Sequence, residues 1–378
     1  MKDKVVGVVA EFNPFHNGHK YQINEISKQA PLIKIGVISG NFVQRGEVSI
    51  INKFEKTKIA LEEGYDILVE LPVYYSIQNA DIFCEYSVKI LNELGTNIQV
   101  FGIETDNFDE IYMIKDLQKE KEYNEKLRES IRRGNSYIKS HELVLNEYGF
   151  NDVYKSNNIL ALSYIKSIER NSFDISAYGL KRIGSGYNDM ESNDNIASAT
   201  MIRKHIDSDV SKFVPKSCLP YLTNRKIDVD KKIFDMFKYV FSVKTKIELM
   251  KIYDFNDSMY NRVEKCLKKS TNMEEFLSFY VSRNFSSARI KRVILNILLN
   301  IEKKDISLDK DVEYIRVLGI NEKGAKYIKK LNNPKIFVNW KDIEKNIDIS
   351  LIKIEKNAFI LHEIITGDKE NLNVYYMR

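Results

Sequence analysis

The 378-residue sequence contains few of the features that mark secreted or membrane proteins. Its three cysteines, Cys84, Cys218 and Cys266, are scattered and form no pair with metal-binding spacing, so no disulfide framework is expected. No apolar run is long enough to span a bilayer, and the first residues, MKDKVVG, contain no apolar signal segment. We therefore expect a cytoplasmic protein without a membrane partner.

Neither sign of charge dominates the chain as a whole, but the two halves differ. The formal net charge is +5, and residues 1–100 contain 10 Lys and Arg against 12 Asp and Glu. Residues 224–304 contain 18 basic against 10 acidic residues, which suggests that a polyanionic partner binds on the C-terminal side. The alternative is a general compositional bias, because lysine, asparagine and isoleucine are frequent throughout.

Short apolar segments alternate with amphipathic ones over the first hundred residues. This alternation predicts an α/β fold with a doubly wound parallel sheet that binds ligands at the carboxyl ends of its strands. The predicted strands are 4–11, 32–39, 66–70 and 98–103, and the predicted helices between them are 18–29, 53–64 and 79–94.

Further along, the pattern becomes mainly helical. Residues 108–150 are charged and helical, as expected of an insertion, after which a helix at 158–169, a strand at 173–178 and a helix at 199–206 resume the sheet. Prolines at 215 and 220 mark a junction. We therefore predict a catalytic domain over residues 1–210, and a mainly helical, basic domain over 211–378.

The stretch VVGVVAEFNPFHNGH, residues 5–19, contains the strongest functional signal. A β-branched strand is followed by a turn and by the start of a helix, where free backbone N–H groups and the helix dipole favour a bound anion. His16 and His19 lie on the same side of the first helical turn, and Gly18 would let a phosphate approach closely. Two histidines can also bind a metal, but Glu11 is the only nearby carboxylate, so phosphate chemistry is favoured.

This motif resembles the HIGH-type nucleotidyltransferase superfamily, and the longer string AEFNPFHNGH is similar to the bacterial tRNA(Met) cytidine acetate ligases. Further blocks of resemblance follow in the same order along most of the chain. They are SGNFVQRGE (39–47), NKF (52–54), VELP (69–72), FGIE (101–104), NNILALSY (157–164), SATMIR (198–203) and, more weakly, RVILNILLNI (292–301).

The resemblance implies an ATP-binding site along the first motif and at five later residues. His16 and His19 would donate hydrogen bonds to the reacting phosphate, and Lys20 would add a charge unless it is simply a solvated lysine. The implied ATP-binding residues are Gly7, Val8, Val9, Ala10, Glu11, Phe12, Asn13, Pro14, Phe15, His16, Asn17, Gly18, His19, Lys20, Gly102, Asn157, Asn158, Arg182 and Ser198.

The SATMIR block is expected to complete the phosphate site. Ser198 has the character of a helix N-cap, Thr200 would face the phosphates, and Arg203 would project one turn later. A plain capped helix is the alternative. Either Asn157 or Asn158 would contact the nucleotide, and the other would then be an ordinary cap.

The polar loop after the second strand is predicted to contact the acetate or the cytidine. Gln44 and Arg45 lie on this loop, and Lys53 follows it, where it could neutralise a carboxylate or a phosphate. An ordinary surface loop is the alternative.

A second basic cluster, Arg283, Arg289, Lys291 and Arg292, is interleaved with aromatic residues and is predicted to bind tRNA. Lys323, Lys326 and Lys330 repeat the pattern more weakly. The alternative is a solvated helix face opposite a buried apolar one.

The resemblance as a whole implies an ATP-dependent ligase. It would activate acetate as acetyl-adenylate and acetylate N4 of the wobble cytidine of elongator tRNA(Met), with magnesium accompanying ATP. Two other functions stay open on residues alone: a small-molecule nucleotidyltransferase and a non-catalytic RNA-binding protein.

Overall fold

The computed structural model describes residues 3–183, 195–222, 228–282 and 285–377. Its strands are β1 (Val5–Ala10), β2 (Ile33–Ser39), β3 (Phe42–Val43), β4 (Glu47–Val48), β5 (Ile67–Leu71), β6 (Ile98–Ile103), β7 (Ser176–Lys181), β8 (Ile315–Asn321), β9 (Ile336–Phe337) and β10 (Tyr375–Met377).

Helices surround these strands and also form most of the region between β7 and β8. They are α1 (Asn17–Lys28), α2 (Lys53–Glu62), α3 (Val73–Ser76), α4 (Ala80–Glu93), α5 (Asp109–Leu117), α6 (Lys121–Arg132), α7 (Tyr137–Glu147), α8 (Ser156–Arg170), α9 (Ala199–Lys204), α10 (Val229–Val243), α11 (Lys246–Leu249), α12 (Asp257–Leu267), α13 (Met273–Tyr280), α14 (Ser287–Leu299), α15 (Glu322–Leu331), α16 (Trp340–Asn346) and α17 (Ile349–Thr366).

The main sheet of the described residues has the strand order β10-β8-β5-β2-β1-β6-β7, with β9 beside β8. The five strands from β5 to β7 in this order are parallel, and β8 runs antiparallel to β5. Side chains on the two faces enter separate apolar clusters, so that Val5 and Ile35 pack on one side while Val6 and Ile38 pack on the other. The doubly wound α/β prediction is confirmed.

The chain reverses its direction of winding at β1, which lies between β2 and β6. Loops that leave neighbouring strands in opposite directions open a crevice at such a point, and ligands of doubly wound folds bind there. The segment after β1 is the motif that contains His16 and His19, so the fold places this motif at the expected binding edge.

The main sheet crosses the domain boundary predicted after residue 210. Strands β8, β9 and β10 come from the C-terminal segment and extend the sheet from β5. Arg316 of β8 pairs with Glu70 of β5 at facing positions and forms an ion pair of 3.1 Å with it in the core. Residues 211–314 are mainly helical, whereas strands β8, β9 and β10 of the predicted second domain belong to the sheet of the first.

Among the described residues, no helix combines the length and the apolar character needed to cross a bilayer.

Candidate active site

His16 and His19 form a reciprocal cap at the start of α1. The Nδ1 atom of His16 accepts a hydrogen bond from the Gly18 N–H at 3.0 Å, and Nδ1 of His19 accepts one from the His16 N–H at 3.2 Å. The two imidazole rings stack with their centroids 3.8 Å apart. Because a backbone N–H can only donate, each Nδ1 must be unprotonated, and the neutral ring carries its proton on Nε2.

Burial keeps both rings neutral. Desolvation, with a smaller contribution from the nearby arginines, lowers the pKa of His16 to about 3, and it lowers the pKa of His19 well below its usual range. Phe12 and Phe15 are fully buried and pack against the His19 ring. The site therefore offers two fixed Nε2–H donors, whose positions do not depend on a change of protonation near neutral pH.

The absence of a side chain at Gly18 makes room for the His16 ring of this cap. A Cβ atom at this position would lie 2.8 Å from Cε1 and 2.9 Å from Nδ1 of His16. Any other residue would therefore push the imidazole away from the hydrogen bond that fixes its tautomer.

Arg203 brings the second motif to the first. Its Nη1 donates to the Asn13 carbonyl at 2.7 Å, and its Nη2 lies 3.4 Å from the Thr200 hydroxyl. Helix α9 starts with the predicted N-cap, Ser198, whose hydroxyl accepts the Met201 N–H at 3.2 Å. Thr200, Ser198 and Arg203 thus lie beside the turn that precedes His16.

A third group follows β6 and β7. The Asn157 side chain donates to the Glu104 carboxylate at 2.8 Å and lies 3.4 Å from the Arg182 guanidinium. Asn158 is buried, accepts the Glu104 N–H at 2.8 Å and donates to the Val153 carbonyl at 2.8 Å. Of the two side chains, only that of Asn157 is partly exposed, and that of Asn158 is enclosed by the protein.

Gly102 completes this group. A Cβ atom at Gly102 would lie 3.2 Å from Cγ of Arg182, so the absence of a side chain lets Arg182 cross the end of β6. The glycines that follow Arg182 in the sequence, at 184 and 186, lie outside the described residues.

The predicted loop after β2 is a short β-hairpin. Strands β3 and β4 pair antiparallel, and Gly46, with a φ of 75°, closes the three-residue turn Gln44-Arg45-Gly46. The Gln44 N–H donates to the Glu11 carboxylate at 2.8 Å, and Arg45 adds positive charge near that carboxylate. Burial nevertheless raises the pKa of Glu11 above its ordinary value. The β3–β4 hairpin therefore joins the motif after β1.

Two predicted cations are already paired. The Lys53 ammonium is buried and lies 2.8 Å from both Glu70 and Glu370, so it is not available to neutralise acetate, and its assignment to the acetate pocket is not supported. Lys20 is 46% exposed and forms a 2.9 Å ion pair with Glu63. Asn17, in contrast, donates to the carbonyls of Asn195 and Lys212 and holds α1 against the chain near α9.

Three of the predicted tRNA-binding residues, Arg289, Lys291 and Arg292, lie on α14, and α14 packs directly on the β3–β4 hairpin. Lys291 forms a 2.9 Å ion pair with Glu47 of the hairpin. Arg289 is bound by the Asp254 carboxylate through contacts of 2.6 to 3.2 Å, and Arg292 is half-buried. Arg283 lies outside the described residues.

The lysines of α15 are placed elsewhere. Asn321, the N-cap of α15, donates its side-chain amide to the Asp66 carboxylate at the amino end of β5. Since the histidines follow the carboxyl end of β1, Lys323 and Lys326 lie at the opposite edge of the sheet.

Sequence reasoning missed one central residue, Lys56. Its buried ammonium donates to the carbonyls of Glu11, Ser39 and Gly40 at 2.8 to 3.1 Å, and so joins the carboxyl ends of β1 and β2. Burial lowers the pKa of Lys56 to about 7. A lysine three residues into an amphipathic helix gives no local signal of this role, although the preceding NKF block pointed to the segment.

Among the described residues, no group of three or more His, Cys, Asp or Glu side chains has the arrangement of a metal site.

Comparison with known proteins agrees with this geometry. Residues 3–373 match the family described as HIGH Nucleotidyl Transferase. The tRNA(Met) cytidine acetate ligase of Fusobacterium nucleatum is 36% identical over 372 residues, with 95% of this chain and 92% of that protein covered. The ligase of the same name from Bacillus subtilis is 33% identical over 351 residues, with 86% and 84% covered.

Solved structures show the same similarity. Apo Thermotoga maritima TmcAL matches with a TM-score of 0.88 at 27% identity, and the coverage is 99% of this chain and 100% of that one. The same protein bound to alpha-thio ATP matches with a TM-score of 0.85 at 26% identity and with the same coverage. With its histidine cap at the switch point of a doubly wound sheet, the chain belongs to the HIGH nucleotidyltransferases and, within them, to the tRNA(Met) cytidine acetate ligase family.

Proposed function

We propose that the protein activates acetate with ATP and transfers the acetyl group to N4 of the wobble cytidine of elongator tRNA(Met). The observation that carries the proposal is the pair of Nε2–H donors of His16 and His19, held by backbone hydrogen bonds beside Arg203. This arrangement favours a phosphate over a metal, because the Nδ1 lone pair of each neutral ring already accepts a backbone N–H, which leaves the Nε2–H to donate. The similarity to Thermotoga maritima TmcAL, solved with alpha-thio ATP, supports ATP as the nucleotide.

In the first half-reaction, an acetate oxygen attacks the α-phosphorus of ATP, and the bond to the pyrophosphate oxygen breaks. Negative charge accumulates on the phosphate oxygens as pyrophosphate leaves. The two imidazole N–H groups and the Arg203 guanidinium are fixed before the reaction, so they stabilise this charge without reorganisation. Asn157 and Arg182, after β6 and β7, would hold the nucleoside end.

In the second half-reaction, the cytidine N4 amine attacks the acetyl carbon, and the bond to the AMP phosphate oxygen breaks. AMP leaves with that electron pair, and the amine loses one proton to solvent or to a nearby base. The base must leave its stack to reach the site, which costs little for an unpaired anticodon nucleotide. The β3–β4 hairpin, with Gln44 and Arg45 at its tip, is the proposed floor of the cytidine pocket.

The proposed tRNA surface is the basic half of α14, where Arg289, Lys291 and Arg292 lie beside the hairpin. We expect magnesium to enter as part of the ATP substrate, bound to phosphate oxygens and water. Since tRNA is the acceptor, we expect the protein to act in the cytoplasm.

Labelled acetate tests the proposal. The protein is incubated with [14C]acetate and ATP, with and without a tRNA(Met) transcript, and the label is followed into acetyl-adenylate and RNA. We expect acetyl-adenylate without RNA and labelled N4-acetylcytidine with it. Gln44→Ala and Arg45→Ala should slow transfer to RNA more than adenylate formation, and Glu169→Gln, on α8, is the control. Label in neither product would overturn the proposal and favour a small-molecule nucleotidyltransferase or a non-catalytic RNA-binding protein.

A further inference from the structure

The β3–β4 hairpin touches both the phosphate-binding residues and the proposed RNA-binding helix. Glu47, the first residue of β4, places Oε1 2.9 Å from the Lys291 ammonium and Oε2 3.6 Å from the Arg203 guanidinium. One carboxylate therefore lies between a cation assigned to nucleotide phosphates and a cation assigned to RNA phosphates. Its side chain is 31% exposed, and those of Lys291 and Arg203 are 24% and 18% exposed.

Backbone packing fixes the hairpin against α14. A Cβ atom at Gly46 would lie 2.5 Å from the backbone nitrogen of Arg292 and 2.6 Å from the carbonyl carbon of Lys291. The backbones of the hairpin and of α14 are therefore in direct contact. A second link runs from the Gln44 amide to the Gln78 carbonyl at 3.0 Å, and from the Gln78 amide to Asn296 of α14 at 2.8 Å. The hairpin and α14 therefore form one packed unit.

We propose that Glu47 is a positioning residue that couples ATP binding and RNA binding unfavourably, because each ligand draws one of the two cations, Arg203 or Lys291, away from its carboxylate. The inference rests on the proposed function, because it assigns Arg203 to ATP and Lys291 to RNA. When nucleotide phosphates attract Arg203, the Glu47 carboxylate interacts with Lys291 alone and holds it more firmly. Lys291 is then less available to bind RNA. Once pyrophosphate has left, fewer phosphate charges attract Arg203, its contact with Glu47 is restored, and Lys291 is released.

The consequence is an order of events. RNA binds more weakly to the ATP complex than to the complex that follows pyrophosphate release, so adenylate formation precedes firm engagement of the tRNA. By linkage, RNA weakens the binding of ATP relative to that of AMP by the same factor.

The experiment measures the affinity of a tRNA(Met) transcript in the absence of acetate, at saturating ATP and at saturating AMP. We expect the wild-type protein to bind the transcript about fivefold more weakly with ATP than with AMP, at the lower limit of typical coupling. Glu47→Gln removes the charge but keeps the shape, and the ratio should fall close to one. Lys291→Met should also abolish the ratio, while weakening RNA binding with both nucleotides.

Glu169→Gln is the matched control. Glu169 of α8 also bridges two cations, Lys115 at 2.9 Å and Lys119 at 2.7 Å, and this variant should keep the wild-type ratio. Direct repulsion between ATP and RNA phosphates would persist in Glu47→Gln, so an unchanged ratio in that variant overturns the role of Glu47. A wild-type ratio of one, with both ligands bound, overturns the coupling alone. Failure of the wild-type protein to bind ATP or RNA overturns the proposed function itself.

Discussion

Asn157 and Asn158 are neighbours in the chain, but they bind opposite ends of Glu104. The Asn157 side-chain amide donates to the Glu104 carboxylate, whereas the side-chain oxygen Oδ1 of Asn158 accepts the Glu104 backbone N–H. One asparagine therefore belongs to the open side of the site, and the other fixes the end of β6 from within the protein. The sequence alone does not show which asparagine has which role. The direction in which each side chain leaves the first turn of α8 distinguishes them.

Alanine substitution should separate these two roles. We expect Asn157→Ala to weaken ATP binding by about tenfold, since one net hydrogen bond is lost, and to leave the thermal midpoint nearly unchanged. Asn158→Ala leaves the Glu104 N–H and the Val153 carbonyl without their partner, and should lower the free energy of unfolding by about 1–3 kcal/mol. Calorimetric titration with ATP and urea denaturation measure the two effects. Equal loss of stability in both variants would contradict the assignment.

His16→Asn should separate the cap from the chemistry. The asparagine oxygen can still accept the Gly18 N–H, but no donor replaces Nε2–H, so acetate-dependent exchange of pyrophosphate into ATP should fall about a hundredfold (~3 kcal/mol). His16→Ala should lose the same activity and, because the cap is also gone, about 1 kcal/mol of stability. Wild-type exchange rates in His16→Asn would show that this imidazole does not donate to the reacting phosphate.

Asp254→Asn should tighten RNA binding. The Asp254 carboxylate holds the Arg289 guanidinium at 2.6 Å, so removing its charge releases a cation on the proposed RNA surface. We expect a higher affinity for the tRNA transcript and a salt dependence steeper by about one unit. Arg289→Ala should have the opposite effect on affinity. Filter binding between 50 and 200 mM salt, a range over which phosphate contacts change the affinity strongly, measures the affinity and its salt dependence in both variants. An unaltered salt dependence would show that Arg289 is not on the RNA-binding surface.

Glu355→Gln should change how stability depends on pH. The Glu355 carboxyl is buried and accepts the Val73 N–H at 2.7 Å, and burial together with the charge of Glu70 raises its pKa to about 8 from an ordinary value of 4.5. The folded protein therefore binds this proton more tightly than the unfolded chain does. The stabilisation that the protonated carboxyl gives to the folded protein is fully present below pH 4.5 and is lost as pH rises to about 8.

Glutamine keeps an acceptor for the Val73 N–H and cannot ionise. The stability of Glu355→Gln relative to the wild type should therefore increase with pH, by at most about 1.4 kcal/mol per pH unit. Urea denaturation at pH 5, 6.5 and 8 measures this difference. The same difference at all three pH values would show that Glu355 does not titrate in this range.

The first half of the fold was readable because its signals are local. The four early strands are short apolar runs, and each lies within two residues of its predicted position. Strand β8 is also apolar, IRVLGIN, but it lies among helices and pairs with β5 from the other end of the chain. Strand β10 has only three residues, YYM, and is only partly buried, so it is too short to show an apolar alternation. Pairing over such a separation leaves no trace in the spacing of residues.

The site, like the fold, could be predicted only in part. The two histidines and Arg203 belong to motifs, so their positions could be named from the sequence. Glu47 and Lys56 act through contacts with distant segments, and both resemble ordinary surface residues in a sequence rich in charge. Lys53 shows the opposite error, because a lysine beside a functional motif is paired in the core.

The late position of β8 and β10 also sets the order in which the protein can mature during synthesis. Until β8 has left the ribosome, β5 presents an unpaired edge, and Glu70 is buried beside Lys53 without its arginine partner. The nucleotide motif is made well before β8 and β10, yet these two strands belong to the sheet that supports it. A nascent chain stalled before Arg316 should therefore hold the complete phosphate-binding sequence in an unfinished sheet, prone to pairing with other strands.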